Sequence, residues 1–221
     1  MKIGIELNNV LRDINKQIVH YYKKDINRSF DDKSVNFNKL NVIDDLPFEH
    51  KKDKYNFIYI DYPYEIFGCA KPMHKNLPVM INNTIEKNSN SESTNDITIS
   101  LFSLMENALT IQSSFFFLSK IGSRVREVLF PKDGSELWDR FDVLITTNEN
   151  IVNTKPDGKK VILIRKDDNK NLSVKSDLVY DSLFDLLEDE DFLLKLKNIK
   201  SRRNNGDTLF SRVMNKIKKM F

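Results

Sequence analysis

Hydrophobic positions along the chain follow two periods. In residues 2–7, Ile3, Ile5 and Leu7 recur every second residue, the pattern of a strand with one buried face. Val10, Leu11, Ile14, Ile18, Val19 and Tyr22 then recur at helical spacing with Arg12, Asp13, Lys16 and Gln17 opposite them. That spacing predicts an amphipathic helix capped by Asn8 or Asn9. The rhythm resumes with a short strand at 97–100. Ser103 and Glu106, three residues apart, form a capping-box pattern that predicts a helix to Gly122, with the aromatic block 115–117 on its core face. Further strands are predicted at 125–130, 142–147, 160–165 and 177–180, with short helical or turn segments at 132–140 and 148–156. A helix is predicted over 182–198. The run at 142–147 is apolar throughout, as expected of a strand covered on both faces. Strands alternating with helices predict an α/β fold, a Rossmann-like parallel sheet with helices on both faces.

Two regions break this rhythm. Residues 24–96 are rich in Lys, Asp and Asn, contain an aromatic block at 57–67, and end in a polar stretch at 82–96 read as a loop. They are expected to be an insertion between core segments 1–23 and 97–199, with little assignable regular structure. Residues 200–221 hold seven Lys or Arg and one Asp. Within them Leu209, Phe210, Val213, Met214 and Ile217 share one helical face, which predicts a basic amphipathic tail helix that docks on a partner or packs locally. The acidic run 188–191 is expected on a solvated helix face, or paired with the tail of a neighbouring copy.

Composition narrows the options. The chain has 221 residues, 40% hydrophobic and 30% charged, enough to bury a sizeable core. A net charge of +3 gives no electrostatic footprint for nucleic acid. No apolar run approaches the length of a membrane span. One cysteine, Cys69, excludes an intramolecular disulfide and a cysteine-based zinc site. His20, His50 and His74 lack ligand spacing, and no glycine-rich phosphate loop is present.

In open α/β sheets, ligands bind at the carboxyl ends of the strands. Those ends are expected to offer Glu6 with Asn8, Ser100, Lys132, and Thr146 with Thr147. Their order resembles the haloacid-dehalogenase-like phosphohydrolases, specifically nucleotidase-like members, over about residues 1–23 and 97–199, with 24–96 in the position of a cap. The resemblance implies that Glu6 stands at the nucleophilic aspartate, Asn8 at the acid/base aspartate, and Ser100 at the phosphate-binding hydroxyl. Lys132 stands at the motif lysine, ahead of Lys120 and Lys155, and Thr146 and Thr147 at the metal-binding acids. The phosphate-holding positions are kept and the reactive ones are not. An amide such as Asn8 cannot protonate a leaving oxygen or activate water. Two threonines bring no charge to a magnesium ion, which takes carboxylate ligands. Asp142 lies too far back along its strand to substitute, which leaves Asp133 beside Lys132 as the one nearby acid. The expectation is a pseudoenzyme without cofactor or metal. The alternatives are a magnesium-dependent phosphatase using Glu6 and Asp133, and a module that binds phosphate or nucleotide at Ser100 and Lys132.

The stretches at 61–68, at 109–112 with 116–122, and at 138–145 resemble a protein of the crAss-like tailed bacteriophages encoded among the virion genes. The resemblance implies a structural part of the particle, a ring of the neck or tail assembled in the host cytoplasm. Its partners would be other copies of the chain and neighbouring virion proteins, with no specific nucleic acid and no membrane span. The expected contact surfaces are Tyr62, Tyr64 and Phe67 in the aromatic block, and Leu209, Phe210, Val213, Met214 and Ile217 in the tail.

Overall fold

The structure, a computed structural model, describes residues 1–89, 97–104 and 106–198. Six parallel strands form the main sheet: β1 (Lys2–Glu6), β4 (Thr98–Phe102), β5 (Val128–Leu129), β6 (Val143–Thr146), β7 (Lys160–Ile164) and β8 (Leu178–Tyr180). Their order is β5-β4-β1-β6-β7-β8, so the first strand lies centrally, between β4 and β6. A two-stranded antiparallel pair joins β2 (Arg12–Asp13) to β3 (Lys71–Pro72).

Strand alternation sorts the side chains onto two faces. Ile3, Ile5, Leu101, Ile145 and Ile162 meet the helices α3 (Leu77–Ser89), α4 (Ala108–Lys120), α7 (Leu183–Glu188) and α8 (Phe192–Asn198) through Leu77, Ile81, Phe117, Leu186 and Leu196. Phe102, Leu144, Val161 and Leu163 face α5 (Ser135–Arg140) and α6 (Glu149–Asn153), packing on Leu137, Trp138, Ile151 and Val152. Gly4 is required at the centre of β1. A Cβ there would stand 2.7 Å from Leu144 Cδ2 and 2.9 Å from Phe141 Cδ2.

The helix expected from Val10 starts later. Its N-cap is Asp13, whose carboxylate accepts the Lys16 amide, and α1 runs Ile14–Tyr21. Residues 7–12 form a tight turn instead. The amides of Leu11 and Arg12 both donate to Leu7 O, and Asn9 takes φ 60°. Val10 and Leu11 are buried by that turn, which is why their spacing imitated a helix. Asn8 and Asn9 therefore cap nothing.

The segment 24–96 is more ordered than its composition suggests. It contains α2 (Lys51–Asn56), α3, and single turns too short or too wide to carry a 3.6-residue period, including π-helical turns at Phe57–Asp61 and Tyr64–Gly68. Val42, Leu46, Phe57, Ile66 and Phe67 close a second hydrophobic cluster on Ile18, Val19 and Tyr22 of α1 and the turn after it. Residues 82–89, expected as loop, belong to α3, and 90–96 lie outside the described residues.

Three other expectations change. The α4 helix is capped by Asn107 in a capping box with Thr110, so Ser103 and Glu106 are not its cap. It stops before Gly122 (φ 64°), as expected. Of the aromatic block only Phe117 reaches the core, because three consecutive residues span too wide an arc of one helix. The helix expected over 182–198 is broken at the acidic run, where Asp189 accepts bonds from Tyr180 Oη and Lys195 Nζ. The predicted tail, with Leu209, Phe210, Val213, Met214 and Ile217, lies outside the described residues. Among the described residues no helix is long and apolar enough to cross a membrane.

Candidate functional site

The carboxyl edge of the sheet is built from the tips of β1, β4, β6 and β7. Register sets which groups meet. Glu6 pairs with Phe102 of β4, and Ile5 pairs with Ile145 of β6, so the next residue on each, Glu6 and Thr146, stand side by side. A single oxygen of Glu6, Oε2, accepts from Thr146 Oγ1 at 2.7 Å, the Thr147 amide at 2.8 Å and Thr147 Oγ1 at 3.1 Å. Glu6 is buried. Burial pushes its carboxyl above the usual range, and the bonds from Thr146 and Thr147 oppose that shift.

Asn8 is engaged on both sides. Its Oδ1 accepts from Arg12 Nε at 2.9 Å and Nη2 at 2.6 Å, while its Nδ2 donates to Ser103 Oγ at 3.1 Å. Ser103 in turn donates to Glu106 Oε1 at 2.6 Å, the same oxygen that Arg12 Nη2 meets at 3.1 Å. Arg12 is fully buried. Its Nη1 donates to Ser114 Oγ at 2.8 Å and Phe67 O at 3.2 Å, and the guanidinium lies over the rings of Phe67 and Phe117. Burial lowers its pKa to about 10, with Glu106 opposing, so Arg12 stays charged at neutral pH. The other oxygen of Glu106, Oε2, is buried without a hydrogen-bond partner.

Residues 36–40 strap the insertion to this edge. Asn9 Nδ2 donates to Leu40 O at 2.7 Å, and Asn15 Nδ2 donates to Lys39 O at 2.8 Å. From the β7 side, Asp168 accepts the Leu40 amide, Asp167 accepts Asn36 Nδ2, and the Asp167 amide donates to Asn38 O. Asn169 ties the two tips together, donating to Thr147 O and Ile164 O. Lys166 is buried there, and burial pulls its ammonium below the usual lysine range, with Asp13 the main opposing charge.

The sequence-predicted residues are only partly gathered here. Glu6, Asn8, Thr146 and Thr147 are at the edge. Ser100 is not: β4 extends to Phe102, so Ser100 pairs with Gly4 in mid-strand, and its hydroxyl donates to Glu127 Oε2. Ser103 occupies the tip instead, about 10 Å further on at ~3.3 Å per residue. The apolar pair Leu101 and Phe102 interrupts the alternation and hid the true end. Lys132 follows β5, two strands from β1, and takes no part in the bonds around Glu6 and Asn8. Asp133 caps its own turn, accepting Ser135 N and Oγ, which holds its carboxyl below the usual range. Asp142 lies at the opposite end of the sheet, bonded to the Lys2 amide. Lys155 pairs with Asp177, and Lys120 donates to Gly68 O and Ala70 O. Of the expected contact residues, Tyr64 is exposed and Tyr62 half-buried, but Phe67 is core and offers no surface. Arg12, Ser103, Glu106 and Ser114 were missed. The one available signal was a charged residue, Arg12, set among Val10, Leu11 and Ile14.

This donor set does not fit a divalent cation. Magnesium requires oxygens free to accept it. Glu6 Oε2 already takes three donors, Asn8 Oδ1 holds a guanidinium, and the Thr146 and Thr147 hydroxyls point their protons at Glu6. Among the described residues no three His, Cys, Asp or Glu side chains come together as ligands.

No protein-family model matches the sequence, and no curated protein does. Solved structures with similar folds include a haloacid dehalogenase-like family hydrolase from Xanthomonas campestris. It is 10% identical, with 74% of this chain and 82% of that chain covered and a TM-score of 0.37. A likeness at that level carries no argument about activity.

Proposed function

We propose that this chain is a haloacid-dehalogenase-type α/β domain that no longer transfers phosphoryl groups and serves as an assembly component of a tailed-phage particle. The family assignment rests on the central first strand and on Glu6, Asn8, Thr146 and Thr147 at the tips of β1 and β6, while Ser100 and Lys132 add nothing to it. One observation carries the loss of chemistry. The carboxylate at the tip of β1 is tied by three donors from the end of β6, and the neighbouring Asn8 amide is locked between Arg12 and Ser103. The Asn8 amide does not titrate and cannot pass a proton, and a nucleophilic carboxylate needs a partner that can. Phosphate binding at Ser100 and Lys132 is not favoured, because the Ser100 hydroxyl is taken by Glu127.

The role in the particle rests on the likeness of 61–68, of 109–112 with 116–122, and of 138–145 to a crAss-like phage protein. Its partners are then further copies of the chain and neighbouring virion proteins, and it works without cofactor or specific nucleic acid. The purified protein with magnesium and a panel of phosphate monoesters is expected to give no turnover that differs between wild type and Glu6→Gln. Glu6-dependent hydrolysis would end the non-catalytic role. Native mass is expected to show an oligomer, and a monomer at all concentrations would end the assembly role.

A further inference from the structure

One surface combines exposed aromatic and aliphatic side chains with carboxylates. Leu109 and Phe116 lie seven residues apart on α4, two helical turns, so they share one outward stripe; they are 45% and 41% exposed. Tyr64, 46% exposed, extends the stripe from the second π-helical turn, its ring 4.9 Å from that of Phe116. Phe115, on the next position round the helix, is 52% exposed. The two elements are fastened to each other. Lys120 Nζ of α4 donates to Gly68 O, and a Cβ on Gly68 would touch both Phe116 and Ser113 O. Asp25, Asp61 and Glu65 lie around the adjoining Tyr62. The cations near this face include Lys24, over Tyr21, and Lys120, which lies over the Phe116 ring and donates to Gly68 O and Ala70 O.

The basic segment 207–221 has the complementary character: apolar Leu209, Phe210, Val213, Met214 and Ile217 at helical spacing, with Arg212, Lys216, Lys218 and Lys219 between and beside them. We propose that the acidic–aromatic face of α4 and the Tyr64–Gly68 turn receives residues 207–221 of a second copy of the chain. The proposal rests on the assembly role above and names the contact that makes the assembly.

A neighbour's segment suits the face better than the chain's own. The described chain ends at Asn198, where Lys160 at the start of β7 donates to Leu196 O, at the amino edge of the sheet. On the same side α3 lies between, contacting α7 and tied to the end of α4 by Asn82, which donates to Gly122 O and accepts the Arg124 amide. From Asn198 to Leu209 is eleven residues, at most about 36–40 Å when fully extended. The route must cross α3 and α4, each about 10 Å wide with side chains, and then turn round the outer side of α4. The chain's own tail would spend roughly half of that reach on the two helices before turning, a constraint a neighbour's tail does not meet. The other acidic surface, at 188–191, has Asp189 engaged by Tyr180 and Lys195. A contact of this kind is head-to-tail, so it closes into a ring or continues as a filament.

The test uses the full-length protein and light scattering across a concentration series. Asp61→Lys with Glu65→Lys on the face, or Arg212→Glu with Lys216→Glu on the tail, are each expected to reduce the oligomer to monomer with circular dichroism unchanged. Combining all four reversals is expected to restore it. Mixing the face variant with the tail variant is expected to rebuild an oligomer in which the two alternate, since the intact tail meets the intact face and the reversed tail meets the reversed face. An oligomer that survives both reversals overturns the docking and leaves the assembly role standing. A monomeric wild type overturns both. Loss of the oligomer on reversal of Glu188 and Glu190 alone moves the contact elsewhere and overturns the docking, as does a tail that binds phosphatidylglycerol vesicles while the protein stays monomeric.

Discussion

Glu6 and Arg12 are two buried charges held in different ways. Burial raises the Glu6 carboxyl above the ordinary value, and hydroxyl and amide donors from Thr146 and Thr147 limit the rise. A raised carboxyl pKa means that the folded state binds the extra proton, so this group's contribution to stability is greatest below its unfolded pKa and declines as pH rises through the folded value. The difference in melting temperature between Glu6→Gln and wild type should therefore move in favour of the variant from pH 5 upward. A difference that is constant with pH would show that Glu6 does not titrate as burial requires. Arg12 remains charged and paired. Truncating it to Met leaves Glu106 buried without its partner, for an expected loss of about 3–5 kcal/mol in denaturant unfolding. Lys is also expected to destabilise at position 12, because one ammonium cannot reproduce the fork that reaches Asn8, Glu106 and Ser114 together. At this scale the sequence was legible for Glu6, Asn8, Thr146 and Thr147, whose places follow from strand ends. It was not legible for Arg12, because a charged residue between apolar ones also fits the wet side of a helix.

At the scale of elements, the central strand and the strap over the sheet edge carry the arrangement. Gly4→Ala would press a Cβ into Leu144 and Phe141, an overpacking expected to destabilise by about 1–3 kcal/mol, measurable in the same unfolding experiment. Asp168→Ala removes both oxygens that receive the Leu40 amide, so hydrogen exchange at Leu40 should quicken while the amides of β1 and β6 keep their protection. Unchanged exchange at Leu40 would mean that Asn9 and Asn15 hold the strap by themselves. The strands β6 and β7 could be read from the chain because each is a short apolar run bounded by polar residues, the signature of a strand covered on both faces. The insertion could not, since turns of four or five residues with π-helical width leave no periodic trace. Ser100 was misplaced because a strand's end cannot be fixed from alternation once Leu101 and Phe102 face opposite sides of the sheet.

Across the whole molecule, Glu6, Asn8 and Arg12 at the carboxyl edge are tied to neighbouring groups and the insertion is strapped over them, while an apolar, acid-fringed face on α4 is left outside. Regulated chemistry at the edge would require Glu6, Asn8 and Arg12 to release their partners together. Assembly requires only that the outer face meet a complementary segment. The most decisive measurement is magnesium titration by calorimetry on the wild-type protein, Glu6→Gln, and a variant carrying Asn8→Asp with Thr147→Asp. Because Glu6 Oε2, Asn8 Oδ1 and the Thr146 and Thr147 hydroxyls are already engaged, wild type and Glu6→Gln should give no binding heat, and binding should emerge only when the two carboxylates are introduced. Saturable magnesium binding by the wild-type chain that disappears in Glu6→Gln would contradict a closed, non-catalytic site.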